Sequence, residues 1–467
     1  MYASPSTPRR ACAAALCGLA LLVACGPSGA PATPRTQDEG PPGEGPSVCL
    51  ILIDTLRADR LSCYGYPGPS SPGLDRLAAG GVRFARVVAQ NTWTRPSHGS
   101  LLTSHYPRTL GLYHEDKDTL ADRFTTLAEA FDAAGYTTIG VTANPNINTY
   151  YNFQQGFDHY VDSGVVFGFM PRGEGQGIRG KDTALPRAPY VFQAALEELE
   201  RRRGPYYLQL NLMEVHEYNQ SPSGQEFERE FSFEAQDPHR RYAQAVRHTT
   251  DLVAEFVERL AARPGWEDAL FSITSDHGEF LAGEHPSVPL PKTHGYLVYE
   301  TQALVPWVLF SPRGALPRGL VVERPVRLLD LLPTLLDYAG KPLPDGIEGR
   351  SLLPLLAAPE APFDLPEAFV VETEFREAHK LAAYAGDWKY IENLDGHPGA
   401  PARELQARGV EDGAVSDRSA DEPAVAARLE RFLAEWQAAH PASPPTLSPD
   451  ATPADMKRQL EALGYTE

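Results

Sequence analysis

The segment that limits the possible folds of this chain most strongly is a run of six apolar residues, 48–53, within "SVCLILIDTLRADRL". The run stops abruptly at Asp54. An uninterrupted apolar run of this length is typical of a strand that is buried on both faces of a parallel sheet. Because parallel sheets bind ligands at the carboxyl ends of their strands, the segment predicts a central strand with Asp54 at the functional edge.

Strands and helices alternate beyond this segment. Further strands are predicted at 138–142, 206–212, 269–274 and 305–310, and helices at 126–134, 242–263 and 328–338. Another helix is expected to begin with Ser71 as its N-cap and Pro72 at its first position, and to stop at Gly80 and Gly81. The alternation predicts an α/β fold with a mostly parallel sheet covered on both sides. The glycine-rich segment 164–189 has no clear period and is predicted to be a loop beside the site.

The pattern changes after Leu356. A linker-like stretch is followed by "AFVVETE", "KLAAYAG" and "WKYIEN", which are typical of short antiparallel strands. Residues 423–437 predict an amphipathic helix, and "DMKRQLEALGYTE" predicts one more short helix. Residues 359–467 are therefore expected to form a small α+β subdomain and tail.

The first 46 residues are expected to lie outside the fold. Arg9 and Arg10 precede a short apolar run that ends at Cys25, which predicts a signal peptide over 1–25. The small residues before Cys25 resemble a bacterial lipoprotein box, and we expect this cysteine to carry lipid; an ordinary signal peptide is the alternative. Residues 26–46 are rich in proline and glycine and predict a flexible tether. The protein is thus expected to be exported and anchored to a membrane, in the periplasm or at the cell surface.

Charge and cysteine content exclude some classes of function. The 42 basic and 61 acidic residues give a net charge of -19, which disfavours binding to nucleic acid. Of the five cysteines, only Cys49 and Cys63 lie in the predicted folded part. An exported protein can pair them, but the position of Cys49 in an apolar strand favours a buried free thiol.

Three separate segments supply side chains that suit one divalent metal ion. Asp54 follows the first strand, Asp276 and His277 follow "LFSIT", and Thr94 precedes a helix expected to begin near Pro96. Two carboxylates, an imidazole and an alkoxide suit zinc or manganese better than calcium. A bound ion would lower the pKa of the Thr94 hydroxyl and make it a nucleophile. A second ion is left open.

Several motifs resemble, in order, those of the sulfatase family within the alkaline phosphatase superfamily. They include "LIDTLRADRLSCYGY", "TRPSHGSLLTS", "SDHGEFLAGEH", "HGYLVYETQALVPWVLFSP" and "LLDLLPTLLDYAG". The resemblance covers roughly 47–356. It implies that 47–358 form a catalytic domain with a three-layer α/β/α sandwich, followed by the small C-terminal subdomain.

The chain departs from the formylglycine-dependent members at several positions. Thr94-Arg95-Pro96-Ser97-His98 stands where those members carry a Cys or Ser in C/S-x-P-x-R, and threonine cannot be oxidised to the aldehyde. Asn144 lies near the usual lysine, and Thr55 replaces the second Asp of the metal pair. The set is similar to the Thr-nucleophile branches, such as lipoteichoic acid synthases and nucleotide phosphodiesterases. That similarity implies manganese or zinc and phosphate ester substrates.

The resemblance also implies roles for residues around the metal set. His216 and His294 are assigned catalytic roles, although either can instead be structural. His98, Asn144 and Lys292 are assigned to substrate binding, with helix capping as the alternative for His98. Arg57 is expected to form a structural ion pair, and Glu279, Glu284 and His285 are expected to lie behind the metal ligands.

The sequence therefore predicts a metal-dependent hydrolase of phosphate or sulfate esters that uses Thr94 as its nucleophile. Its substrate would be a small molecule or a glycan or lipid ester. One alternative is a transferase that passes a phosphoryl head group to an envelope glycan or lipid. The other is an inactive sulfatase-like protein that binds anionic glycans.

Overall fold

A computed structural model describes residues 43–114, 118–166, 187–218, 238–284, 294–395, 401–410, 416–447 and 457. The strands of the main sheet are β1 (Val48–Ile53), β2 (Val82–Val88), β3 (Thr137–Thr142), β4 (His159–Val161), β5 (Tyr206–Leu212), β6 (Leu270–Thr274), β7 (Leu304–Phe310), β8 (Leu320–Val322) and β9 (Val326–Arg327). The order across the sheet is β4-β3-β5-β1-β6-β7-β2-β8, with β9 also paired to β2. In this order, the five strands β4, β3, β5, β1 and β6 are parallel to one another, whereas β7 is antiparallel to both of its neighbours, β6 and β2. The predicted, mostly parallel sheet is confirmed.

Helices cover both faces of this sheet. They are α1 (Pro72–Gly80), α2 (Thr94–Thr103), α3 (Pro107–Leu110), α4 (Leu127–Ala133), α5 (Ser163–Val166), α6 (Ala188–Glu200), α7 (Arg240–Ala261), α8 (Glu300–Ala303), α9 (Leu331–Tyr338) and α10 (Leu353–Ala357). Helices α2, α4 and α9 contribute to one apolar core, and α1, α6 and α7 to the other. This is the three-layer α/β/α arrangement that the sequence predicts.

Strand β1 lies between the two cores because its residues alternate between them. Leu50 and Leu52 belong to one core, and Ile51 and Ile53 belong to the other. All six residues of the strand are buried. Cys49 on this strand is a buried free thiol, and Cys63 is a half-buried one, as the sequence favours. The apolar run thus fixes the centre of the sheet and leaves the next residue, Asp54, at its edge.

The C-terminal residues form the predicted small subdomain. Its four-stranded antiparallel sheet consists of β10 (Phe369–Phe375), β11 (Ala378–Ala385), β12 (Trp388–Asn393) and β13 (Arg403–Ala407). Helix α11 (Pro423–Ala439) packs on this sheet through Leu429, Leu433 and Trp436. None of the helices in the described ranges is long and apolar enough to cross a membrane.

The differences from the predicted elements concern mainly short or irregular segments. Strands β2, β4, β8, β9 and β13 are not predicted from the sequence. The helix predicted over 328–338 is divided into a 3₁₀ turn, Leu328–Asp330, and α9. Within the predicted loop 164–189, both ends lie in helices α5 and α6, and residues 167–186 lie outside the described ranges. The predicted signal peptide, almost all of the tether, and the terminal helix apart from residue 457 also lie outside them.

Candidate functional site

The parallel pairing of β1 and β6 brings the predicted metal ligands together. Leu52 lies opposite Thr274, so that Asp54 and Asp276 follow at equivalent positions on neighbouring strands. Ligand atoms of Asp54, Asp276 and His277 all lie within 4.8 Å of one another. The three side chains are buried. Strand ends therefore bring together the three ligands as the sequence predicts.

Thr94 lies at the same place. It is the first residue of α2 rather than a residue ahead of it, which corrects the predicted helix start near Pro96. Its Oγ1 is 3.3 Å from Nε2 of His277 and 3.4 Å from Oδ2 of Asp54, and the residue is completely buried. The hydroxyl thus points into the ligand cluster from a third chain segment.

The cluster has the properties of a cation site. Oδ1 of Asp54 is buried and has no hydrogen-bond partner among the residues that the structure describes, and both oxygens of Asp276 are buried as well. Burial raises the pKa of Asp54 well above its usual range, and the carboxylate of Asp276 raises it further. Buried carboxylates are costly unless a positive charge compensates them. These donors fit a divalent ion.

His277 is in the form that a metal ligand requires. Its Nδ1 lies 2.8 Å from the carbonyl oxygen of Gly278, which can only accept, so Nδ1 carries the hydrogen. Nε2 therefore presents its lone pair towards Thr94 and towards Oδ2 of Asp276, 3.4 Å away. Burial lowers the pKa of His277 to about 4, which keeps the imidazole neutral near pH 7.

The backbone is strained directly after Asp54. Thr55 has a φ of 58°, in the left-handed region that a β-branched residue rarely adopts. Its carbonyl oxygen accepts a 2.6 Å hydrogen bond from the hydroxyl of Tyr242 on α7, and its own hydroxyl donates to the carbonyl of Asp54. Strain of this kind persists only where the surrounding structure holds it, and it is frequent at functional sites.

Asn144 and His98 contact the ligands directly. Asn144 Nδ2 donates a 2.6 Å hydrogen bond to Oδ2 of Asp54. His98 Nδ1 lies 3.0 Å from the carbonyl of Thr94 and 3.3 Å from Oδ2 of Asp276, and its Nε2 accepts from Asn211 at 2.7 Å. Both ring nitrogens of His98 therefore contact protein groups. This arrangement holds helix α2 and two of the predicted metal ligands, Asp54 and Asp276, in place.

His216 and His294 lie beside the cluster. The ring of His294 is 4.8 Å from that of His277 and 5.2 Å from that of His216, measured between centroids. Nδ1 of His216 lies 2.9 Å from Oε1 of Glu217. His294 thus lies against the predicted ligand His277, and His216 lies beside His294. Lys292 and His285 lie outside the described residues.

Sequence reasoning missed several residues near the site. Asn211, which holds His98, stands in the buried strand "YYLQLNL", where polar residues at alternate positions are a recognisable signal. Arg95 is buried with its Cζ 3.5 Å from the ring centroid of Tyr151. Phe375, at the end of β10, packs 5.3 Å from Trp93 and 6.4 Å from His294, so the C-terminal subdomain contributes to the site. No sequence pattern indicates the last contact.

Arg57 has the structural role that the sequence favours. It forms ion pairs with Asp59 at 2.7 Å and with Glu284 at 2.5 Å. Glu284 also pairs with Arg60. This group of charges therefore braces the segment that follows Asp54 against the loop that follows His277.

Comparisons with known proteins find relatives of one family. The family model "Sulfatase" matches residues 46–341. An ulvan-active sulfatase from Formosa agariphila is 25% identical over 390 residues, which cover 78% of this chain and 71% of the relative. Arylsulfatase A from Homo sapiens is 25% identical over 388 residues, covering 72% of this chain and 74% of the relative. A solved phosphonate monoester hydrolase from Silicibacter pomeroyi shares the fold with a TM-score of 0.63 at 20% identity, covering 85% and 96%.

Proposed function

The chain belongs to the sulfatase family, and on that basis we propose that it is a metal-dependent hydrolase of phosphate or sulfate esters with Thr94 as its nucleophile. The observation that carries the proposal is the position of Oγ1 of Thr94, 3.3 to 3.4 Å from two of the three clustered metal ligands. A threonine that only begins a helix does not require contacts with a buried carboxylate and an imidazole. The buried Oδ1 of Asp54, which has no hydrogen-bond partner among the described residues, supports a functional ligand set rather than an inactive binding protein.

The metal site would consist of Asp54, Asp276 and His277, completed by Thr94. When bound, the ion would lower the pKa of the Thr94 hydroxyl and offset negative charge on the ester oxygens. Carboxylate, imidazole and alkoxide ligands favour zinc or manganese over calcium. Asn144 holds Asp54 and His98 holds Asp276, so these two residues would keep the ligands in place.

The reaction would proceed in two displacements. Thr94 reacts as the alkoxide, its oxygen bonds to phosphorus or sulfur, and the ester bond breaks. His294 gives a proton to the oxygen of the leaving alcohol. Water then attacks the covalent ester while His294 takes a proton from it, and Thr94 is released. The ring centroid of His216 lies 5.2 Å from that of His294. His216 would donate a hydrogen bond to a non-reacting oxygen of the substrate.

Phosphorus esters are the preferred substrate class in this proposal. A hydrated formylglycine has a second hydroxyl that expels sulfate, whereas threonine has none. The substrate would be a glycan, lipid or small-molecule ester. The phosphonate monoester hydrolase with the same fold and the ulvan-active sulfatase indicate the two chemistries that must be compared.

The test is a panel of aryl phosphate monoester, phosphodiester, phosphonate and sulfate substrates with enzyme loaded with zinc or manganese. Thr94→Ala is expected to lose activity about 10³-fold or more while keeping its fold, and Thr94→Ser to keep part of it. Wild-type turnover by Thr94→Ala would disprove the mechanism. Aryl sulfate hydrolysis far faster than that of every phosphorus ester would disprove only the preferred substrate class.

We also propose that a lipid on Cys25 anchors the protein to a bacterial membrane. The support is the sequence before and after this cysteine. Cys25→Ser is expected to move the protein from the membrane fraction to the soluble one. Wild-type protein without lipid on Cys25 by mass spectrometry would contradict the anchor.

A further inference from the structure

One buried carboxylate near the site is not used by the mechanism above. Glu279 is completely buried, two residues beyond His277. Among the described residues it is not part of the group of three potential ligands, Asp54, Asp276 and His277. A buried carboxylate is costly to maintain, so its presence beside a reactive centre calls for a function.

The backbone of Glu279 is held by Arg57. Arg57 contacts it through the backbone, with Nη1 donating to the carbonyl oxygen of Glu279 at 3.0 Å. The side-chain ion pairs of Arg57 go to Asp59 and Glu284 instead. The backbone of Glu279 is thus fixed by an arginine while its carboxylate is directed elsewhere.

The carboxylate faces His294. Oε1 of Glu279 lies 3.6 Å from Nδ1 of His294, whose side chain is about nine-tenths buried. The two nitrogens of an imidazole are on different sides of the ring, and the partner of one nitrogen sets the role of the other. With Nδ1 towards Glu279, Nε2 is the nitrogen that can serve a substrate beside His277.

We propose that Glu279 is a positioning residue for His294. Its carboxylate accepts the hydrogen of Nδ1 and stabilises the imidazolium form of the ring, in which Nε2 also carries a proton, the one that goes to the leaving group. As the ester bond breaks, that proton passes from Nε2 to the leaving oxygen, and the attacking water returns one in the second displacement. The inference rests on the proposed function, because it assigns a partner to His294, the general acid of the proposed reaction.

The experiment compares wild type with Glu279→Gln, which keeps the size of the side chain and removes its charge. Aryl esters with the same reacting group are used, one with 4-nitrophenol and one with the poorer leaving group phenol. We expect kcat to fall about 10- to 100-fold for the phenyl ester and much less for the nitrophenyl ester, since only the poor leaving group needs the proton. KM and metal content are expected to stay unchanged.

A matched control is Glu404→Gln, which alters a buried glutamate of the C-terminal subdomain. It is expected to show the same leaving-group dependence as wild type. A double-mutant cycle supplies the second readout: in a His294→Asn background, Glu279→Gln is expected to cost nothing further. If Glu279→Gln fails to fold, Glu279→Asp is tested by the same two criteria.

Each other outcome overturns the inference. An equal loss on both esters, or an additive loss in the His294→Asn background, would mean that Glu279 does not act through His294. Loss of the metal from Glu279→Gln would make it a support for the metal site. These results leave the proposed function intact, because wild type still turns over the esters. A wild type that is inert towards every ester of the panel would overturn the proposed function and this inference with it.

Discussion

The edge of the main sheet and the interior of the C-terminal sheet both bury polar side chains, but the two regions differ in how these side chains are hydrogen-bonded. At the main sheet, Oδ1 of Asp54 has no hydrogen-bond partner among the described residues, and Oδ2 of Asp276 lies 3.3 Å and 3.4 Å from imidazole nitrogens of His98 and His277. In the C-terminal sheet, Lys380 Nζ donates to Asn393 Oδ1 at 2.8 Å, and Asn393 Nδ2 donates to Glu404 Oε1 at 2.7 Å. Satisfied networks stabilise and specify a fold. Unsatisfied buried oxygens indicate a site built for something else.

The difference has an energetic meaning. A protein tolerates unpartnered buried charge only where function requires it, and the rest of the fold must offset the cost. The C-terminal network of Lys380, Asn393 and Glu404 is hydrogen-bonded, so its buried charges are expected to contribute stability. Variants in the two regions should therefore separate activity and metal affinity from stability.

The largest effect is expected from a metal added to the chelated protein. Zinc or manganese at 100 times its dissociation constant should stabilise wild type by about 3 kcal/mol, because the ion binds only the folded ligand set. Asp276→Ala is expected to gain almost nothing, and Glu404→Gln should gain as much as wild type. Thermal unfolding together with elemental analysis measures both. Full metal retention by Asp276→Ala, Asp54→Ala and His277→Ala would remove these residues from the ligand set.

An intermediate effect is expected in the C-terminal network. Glu404→Gln places an amide where Asn393 Nδ2 and Gln406 Nε2 both donate, at 2.7 and 2.6 Å. Because two donors then face a side chain with only one acceptor, the free energy of unfolding should fall by about 1–3 kcal/mol. Urea unfolding gives this value, and activity per folded molecule should match wild type. A change in kcat would mean that the two regions are not separable.

The smallest effect concerns Lys389, the exception within the C-terminal sheet. Burial lowers its pKa from 10.5 to about 7, although Glu300 and Glu404 act in the opposite direction. Its Nζ lies 4.6 Å from the ring centroid of Tyr299. The unfolded chain binds more protons between pH 7 and 10.5, so wild type should gain stability as the pH rises through this window. Lys389→Met is therefore expected to be more stable by about 1 kcal/mol at pH 6, and by less at pH 10. An advantage that does not change with pH would contradict the buried charge as its cause.

The central part of the fold follows from the sequence because burial on both faces leaves a strong pattern. Strands β1, β5 and β12 have the predicted bounds, and the strand-end positions of Asp54 and Asp276 lead to the candidate metal site. Strand β2 was missed because Arg83 and Arg86 interrupt its apolar run. These arginines are only half-buried, and the local pattern does not show that the remaining side chains pack inwards.

The parts of the site that the sequence does not predict depend on contacts between distant segments. Helix α2 begins at Thr94 although Trp93, which precedes it, provides no side-chain cap. Arg95 in its first turn is buried, since it stacks on Tyr151 and donates to Asn146. Phe375 reaches the site from another sheet altogether. Neither composition nor periodicity records such partners.

The alignment of β1 with β6 also bears on how the chain reaches its native state. Just beyond the ends of β1 and β6, Leu56 N donates a hydrogen bond to Ser275 Oγ, 219 positions away in the sequence. The two strands must therefore pair although a long segment of the chain separates them. A slip of one residue in β6 would displace Asp276 by about 3.3 Å and turn its side chain to the opposite face. A misaligned chain could not hold the ion with this ligand set. Metal binding would therefore stabilise only molecules in which β1 and β6 have the native register. An ion supplied during refolding would raise the fraction of these molecules.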